Sequence, residues 1–154
     1  AALDDGRGLG MLRRLVEAQG GDVRVIDDPA LLPRAPVTRA VTAERAGVVE
    51  VMDTRALGEA AVGLGAGRRS LSAEIDPAVG MMVPVKPGED VAAGDLLAEI
   101  HARDEGSAAR AADQVRAAIR VGDGSDAVPP LPLVSHRVTA AGVERLAGGD
   151  ASRA

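Results

Sequence analysis

A chain of 154 residues with 46% hydrophobic content and a formal net charge of -5 has room for one domain and a leading piece of another. There is no Phe, Tyr or Trp, so the core is aliphatic; the acidic balance and the missing stacking rings exclude a general affinity for nucleic acid. With no cysteine there are no disulfides, thiolate nucleophiles or sulfur ligands for zinc; no apolar run approaches the ~20 residues of a bilayer span, and the expectation is a soluble, cytoplasmic protein.

The chain begins Ala1-Ala2-Leu3 without Met, and a segment excised from a longer protein is expected. From Gly8 onward Leu9, Met11, Leu12, Leu15 and Val16 recur at helical spacing, and Gly20-Gly21 supplies a left-handed stop. Pro29, Pro33 and Pro36 break regular structure over residues 22–36, which read as a connector. Residues 37–42 are β-branched and alternating, and after a charged turn at Glu44-Arg45 residues 47–52 predict a second strand. Asp53 is placed to cap a helix beginning at Thr54, with Leu57, Ala60, Ala61 and Leu64 on its buried face.

Beyond a basic turn, residues 81–85 predict a strand, and Lys86-Pro87-Gly88-Glu89-Asp90 is turn chemistry. Val91 and a strand over residues 96–102 follow, and the strands over 81–85 and 96–102 are expected in one small barrel or sandwich. Ala108, Ala111, Ala112, Val115, Ala118 and Ile119 repeat with helical period and predict a helix over residues 105–121, ended by Gly122-Asp123-Gly124. After Pro129, Pro130 and Pro132, residues 133–139 predict a last strand, and roughly the final ten residues are expected to fray.

Most chemical motifs fail on spacing. Gly6-Arg7-Gly8-Leu9-Gly10 and Gly63-Leu64-Gly65-Ala66-Gly67 both lack the third glycine of a dinucleotide fingerprint, where Met11 and Arg68 stand instead. The second cluster also closes a helix, whose carbonyl end repels phosphate. Neither His101 nor His136 has a second histidine near it in the sequence and neither is read as a metal ligand, no serine sits in a nucleophile elbow, and strand alternation would turn Ser135 and His136 to opposite faces. No catalytic, cofactor-binding or metal residue is assigned, and no cofactor is expected.

Arg68 and Arg69, on a glycine-flanked turn, are the candidates for a domain-closure contact: two guanidinium groups there could clamp a carboxylate or phosphate or secure a neighbouring domain. The alternative is a solvated pair offsetting the dipole of the preceding helix. Val85, Gly88, Val91, Gly94, Leu97 and Ile100 carry the cadence of biotinyl and lipoyl domains. The chain then continues Ala102-Arg103, and Lys86 lies in the wrong turn for a modified lysine, so a swinging-arm role is not expected.

Several separated motifs resemble one family. Glu17-Ala18-Gln19-Gly20-Gly21-Asp22 and Leu32-Pro33 are followed by Met52-Asp53-Thr54-Arg55-Ala56-Leu57-Gly58, Gly65-Ala66-Gly67-Arg68 and Ile75-Asp76-Pro77-Ala78-Val79-Gly80, then Gly88, Gly94, Ile100 and His101-Ala102. In this order they resemble the C-terminal third of the thymidine phosphorylases and pyrimidine nucleoside phosphorylases.

The resemblance implies an α+β fold: a small mixed or antiparallel β barrel-sandwich of the α/β-hammerhead, lipoyl-like kind with flanking helices, preceded by one helix from an α/β domain. Residues 1–36 would be the C-terminal helix and connector of the α/β phosphate-binding domain, and residues 37–154 the hammerhead domain. The implied parent reaction is thymidine plus phosphate giving thymine and 2-deoxyribose 1-phosphate. The family's phosphate and base ligands match no position here, so this chain would be a structural and closure module without the active site. Implied partners are the rest of the phosphorylase chain, a second subunit in a homodimer, and phosphate and pyrimidine nucleoside bound by the parent, with no nucleic acid and no membrane. The alternative is a stand-alone, non-catalytic biotinyl/lipoyl-like hammerhead binding domain.

Overall fold

Strand alternation organises the first sheet of the computed structural model, which describes residues 2–68, 70–127 and 134–146. In β1 (Val37–Thr42), Val37, Arg39 and Val41 turn inward while Thr38, Ala40 and Thr42 face solvent. It pairs antiparallel with β5 (Leu96–Ala102), whose other edge carries the short β3 (Gly80–Met82), giving the order β1-β5-β3. The register shifts between Val41 and Thr42, leaving Leu97 as an extra residue on β5. That bulge buries two consecutive side chains, Leu97 and Ala98, which a regular strand would send to opposite faces.

The second sheet has β2 (Gly47–Met52) between β4 (Asp90–Val91) and β6 (Ile119–Gly122), again antiparallel. Here too the register shifts, between Val49 and Val51, and the residue between them, Glu50, is buried beside Val49. The architecture is mixed α+β with small antiparallel sheets, and the described strands form open three-stranded sheets rather than a closed barrel.

Two helices close the core. Asp53 accepts the Ala56 N–H at 3.0 Å and starts α2 (Thr54–Leu64), as its position predicts. Leu57, Ala60 and Leu64 are buried, whereas Ala61 is only partly covered. Asp104 caps α3 (Glu105–Ala118) by accepting the Ser107 N–H at 2.7 Å. The small side chains of Ala108, Ala111 and Ala112 let α3 lie close against α2, β1 and β5, and Ile100, Val41, Val49 and Val115 form the fully enclosed centre.

Ahead of β1, α1 (Arg7–Ala18) ends as its glycines predict: Gly20 N–H reaches the Glu17 carbonyl and Gly21 N–H the Val16 carbonyl. Two short 3₁₀ turns, Val23–Ile26 and Pro29–Leu31, occupy the connector. None of these three elements has a buried residue, and Leu9, Met11, Leu12 and Leu15 are about half exposed.

Four expectations are corrected. The strand at residues 81–85 stops at Met82, because Pro84 has no N–H to give a ladder. The helix expected to residue 121 ends at Ala118, and Ile119–Gly122 is a strand: Ile119 fits the helical period, but β2 offers it a ladder partner in Met52. Among the described residues of the expected 133–139 run, only His136–Thr139 (β7) is strand, and Val134 and Ser135 precede it. Gly142–Arg145 (β8), just ahead of the tail expected to fray, pairs with β7 as a hairpin, so the 133–139 run is not the last strand. Residues 128–133 and 147–154, which hold the proline-rich turn and most of that tail, lie outside the described residues.

Candidate functional site

The loop between α2 and β3 holds the sequence-derived site candidates, and its two ends are built by identifiable contacts. At the helix end Gly65 has φ +108, a left-handed conformation that disfavours any side chain. Its N–H bonds the Val62 carbonyl, and the Ala66 N–H bonds the Ala61 carbonyl at 3.1 Å, which satisfies two of the last carbonyls of α2. A Cβ on Gly67 would press on Val62, so the glycines here serve the helix stop.

At the other end Asp76 fastens the loop, its carbonyl also accepting the Val79 N–H at 3.5 Å. Its N–H donates to the Gly65 carbonyl at 3.0 Å, Oδ1 accepts the Ala78 N–H at 2.9 Å, and Oδ2 accepts Arg103 Nε at 2.6 Å. The Ala78 amide and, next, the Arg103 guanidinium hold the Asp76 carboxyl below its ordinary value. The segment between Gly65 and Asp76 therefore leaves and rejoins the domain at one point, with the neck fixed by backbone and carboxylate contacts, as in an Ω-loop. Leu71 at the tip is 98% exposed, Ile75 is half exposed and Arg68 is exposed.

Arg68 thus stands on a projecting loop, and no described side chain forms an ion pair or hydrogen bond with it. Arg69 lies outside the described residues. Sequence reading singled out the arginines but missed Asp76 as the clasp of their loop; the signal available was Asp-Pro, which marks a turn start.

Glu50 is the second site that sequence reading missed. At 4% exposure it is the buried charged residue among those described. Its Oε1 accepts the Gly124 N–H at 2.9 Å, and Oε2 lies 3.5 Å from Arg120 Nε. Arg120 Nη2 also pairs with Asp126 at 3.0 Å. A Cβ on Gly122 would overlap the Glu50 carboxylate, so the bulge and the glycine together make room for a buried acid that fastens the turn after β6. An alternating strand pattern gives no hint of it, because the bulge reverses the face on which Glu50 falls.

His101 and Glu99, two apart on β5, share its outer face, with Nε2 to Oε1 at 3.0 Å; strand period 2 brings together what helical spacing did not test. Ser135 and His136 also meet, Nδ1 to Oγ at 3.0 Å, against the expected opposite faces, because Ser135 precedes β7 and is free of strand alternation. Neither cluster supplies a triad or a metal centre, and among the described residues no three His, Cys, Asp or Glu side chains gather to hold a metal. Gly8 and Gly10 lie within α1 rather than in a phosphate-cradling loop before it.

No described helix is long and apolar enough to cross a membrane. Residues 48–122 match the model of the pyrimidine nucleoside phosphorylase C-terminal domain. The chain is also 44% identical over 131 residues to a thymidine phosphorylase of Burkholderia cenocepacia and 42% identical over 131 residues to one of Burkholderia orbicola. Each match covers 84% of this chain, and the chain spans about 30% of the length of either relative. The matched segment runs from β2 through α2, the Asp76-clasped loop and α3 to β6, and the chain therefore carries the C-terminal domain of the pyrimidine nucleoside phosphorylase family.

Proposed function

We propose that the chain is the C-terminal part of a thymidine phosphorylase, a structural and closure module whose parent converts thymidine and phosphate to thymine and 2-deoxyribose 1-phosphate. The observation that carries this reading is the 44% identity to a thymidine phosphorylase over most of the chain, combined with coverage of only 30% of that relative. The kit for phosphorolysis is sparse here: the sequence has a single lysine, Lys86, and two histidines, none of them in a phosphate-loop context where they would steady the charge of the transition state. Catalysis belongs to the rest of the parent, which supplies the phosphate and nucleoside sites and a homodimer interface in the cytoplasm.

In this reading residues 1–36 are the last helix and connector of the α/β domain, and residues 37–154 are a hammerhead-like domain. The exposed leucine stripe of α1 supports the first assignment, since an amphipathic helix gains most of its stability from a packed face. The lipoyl-like cadence from Val85 to Ile100, running through β4 and β5, supports the second.

Arg68 and Arg69 serve as a closure contact toward the rest of the parent. In the longer protein, replacing both with Ala is expected to raise KM for phosphate or nucleoside and lower kcat while leaving the melting temperature unchanged; unaltered kinetic constants reject the closure role. The upstream reading frame, together with turnover of thymidine by the protein it encodes, tests the assignment as a whole, and an upstream frame without phosphate and base motifs would count against it.

A further inference from the structure

Outside the matched loop, a cavity of about 430 Å³ opens where the β1–β2 turn meets the bulge of β5 and strand β6. That volume falls within the ~300–1,000 Å³ common for small-molecule sites. Its floor is aliphatic: Ala43, Leu97 and Ile119 all line it and are buried. Its rim is charged, with Arg45, Arg116 and Glu44 exposed around the mouth. Two guanidinium groups and one carboxylate line the mouth, and the carboxylates of Asp113, beside Arg116, and Asp123, near Arg45, stand just outside it.

The two arginines differ in how they are held. Arg45 Nη2 donates to the Val121 carbonyl at 2.6 Å, which seals an edge carbonyl of β6 and orients the planar fork, leaving further N–H groups for another acceptor. Arg116 stands in the last turn of α3, with Nη1 3.0 Å from Asp113. Both side chains of that pair are solvent-exposed, and exposed ion pairs of this kind contribute little net stability, so a ligand carboxylate competes for Arg116 at small cost. The bulge is what makes the floor: by burying Leu97 next to Ala98 it leaves a recess at the end of the sheet.

We propose that this cavity is a binding site for a short aliphatic monocarboxylate, its charged group held at the Arg45 and Arg116 rim and its hydrocarbon chain against Ala43, Leu97 and Ile119. A carboxylate takes the open N–H groups of Arg45 and competes with Asp113 for Arg116, and an apolar tail uses a floor that inorganic phosphate would leave empty. The site is independent of the phosphorylase reading, because it involves neither the 66–75 loop nor the exposed face of α1.

The test is a titration of the ¹⁵N-labelled chain with sodium hexanoate, followed by amide shifts, with hexylammonium and inorganic phosphate as comparison probes. Saturable shifts at Ala43, Leu97 and Ile119 with Kd of about 1 mM are expected. Arg116→Gln, which leaves the Val121 contact intact, is expected to weaken binding roughly tenfold with an unchanged dispersed spectrum, and Arg45→Gln at least as much. Absence of saturation at about 20 mM hexanoate would overturn the proposal. So would equal affinity for hexylammonium, which removes the role of charge, or for phosphate, which removes the role of the floor. Binding that is indifferent to both arginine substitutions would overturn it too.

Discussion

Gly122→Ala probes the tightest fit in the domain. The new Cβ would overlap the Glu50 carboxylate, which is enclosed and bonded to the Gly124 amide at 2.9 Å. Two costs compete for the outcome. Overpacking of a filled site costs about 1–3 kcal/mol. Swinging the carboxylate aside instead sacrifices a charge-assisted hydrogen bond of about 1.5–3 kcal/mol and strands the Gly124 donor. The chain takes the cheaper route, so about 2 kcal/mol is expected, a drop in Tm of roughly 4–8 °C at about 2–4 °C per kcal/mol for a chain of this size.

With no aromatic residue present, the melt is followed by far-ultraviolet circular dichroism rather than fluorescence. The decisive form is a double-mutant cycle with Glu50→Ala. Removing the carboxylate opens the space that a methyl group at position 122 needs, so Gly122→Ala should cost less than about 0.5 kcal/mol in that background, a coupling of about 1.5 kcal/mol. Additive costs would show that the glycine is required for a reason other than room for Glu50.

Other substitutions test separate parts of the fold. Asp53→Ala removes the cap bond to the Ala56 amide and should destabilise the domain by about 1 kcal/mol, with Asp53→Asn or Asp53→Ser recovering most of it in the same melts. Ile100→Ala, at a fully enclosed position, should cost about 2–5 kcal/mol by urea unfolding, and a cost below about 1 kcal/mol would mean the centre of the core lies elsewhere. Asp76 has a carboxyl pKa below its ordinary value, so its contribution is complete at pH above the unfolded value of about 3.9 and disappears as pH falls through the lower folded value. The Tm difference between the wild type and Asp76→Asn should therefore shrink on acidification below about pH 4; a difference that stays constant from pH 7 into that range would rule out the carboxylate as its source.

Local chemistry was legible where a residue acts on its own neighbours. Asp53 before Thr54, Gly20-Gly21 after α1 and Gly65 after α2 each predict a helix boundary, because a cap or a left-handed stop is decided within about five or six residues. The strands over residues 37–42, 47–52 and 96–102 were legible for the same reason. Long-range pairing overrode local preference at Ile119, which carries a helical period into a residue claimed by Met52 across the sheet. Glu50 could not be read as buried, because its position depends on a bulge set by the register between β2 and β6, and the amide it binds, that of Gly124, lies 74 residues further along the chain.

The site divides in the same way. Arg68 was visible as a charged residue on a glycine turn, but the clasp that gives its loop a fixed neck joins Asp76 to Arg103 and to Gly65, contacts made across the fold. The family was legible because several motifs occur in the right order, and the order survives even where individual residues serve only caps and stops.

The central proposal is that this chain is part of a phosphorylase and does not perform the chemistry itself. Release of thymine from thymidine, measured with inorganic phosphate present and omitted, tests it directly when the 154-residue chain is compared with the longer protein encoded by its full reading frame. Phosphate-dependent thymine release is predicted for the longer protein and none for the chain alone. Phosphate-dependent release by the isolated chain, or none by the longer protein when it is folded and dimeric, would contradict it.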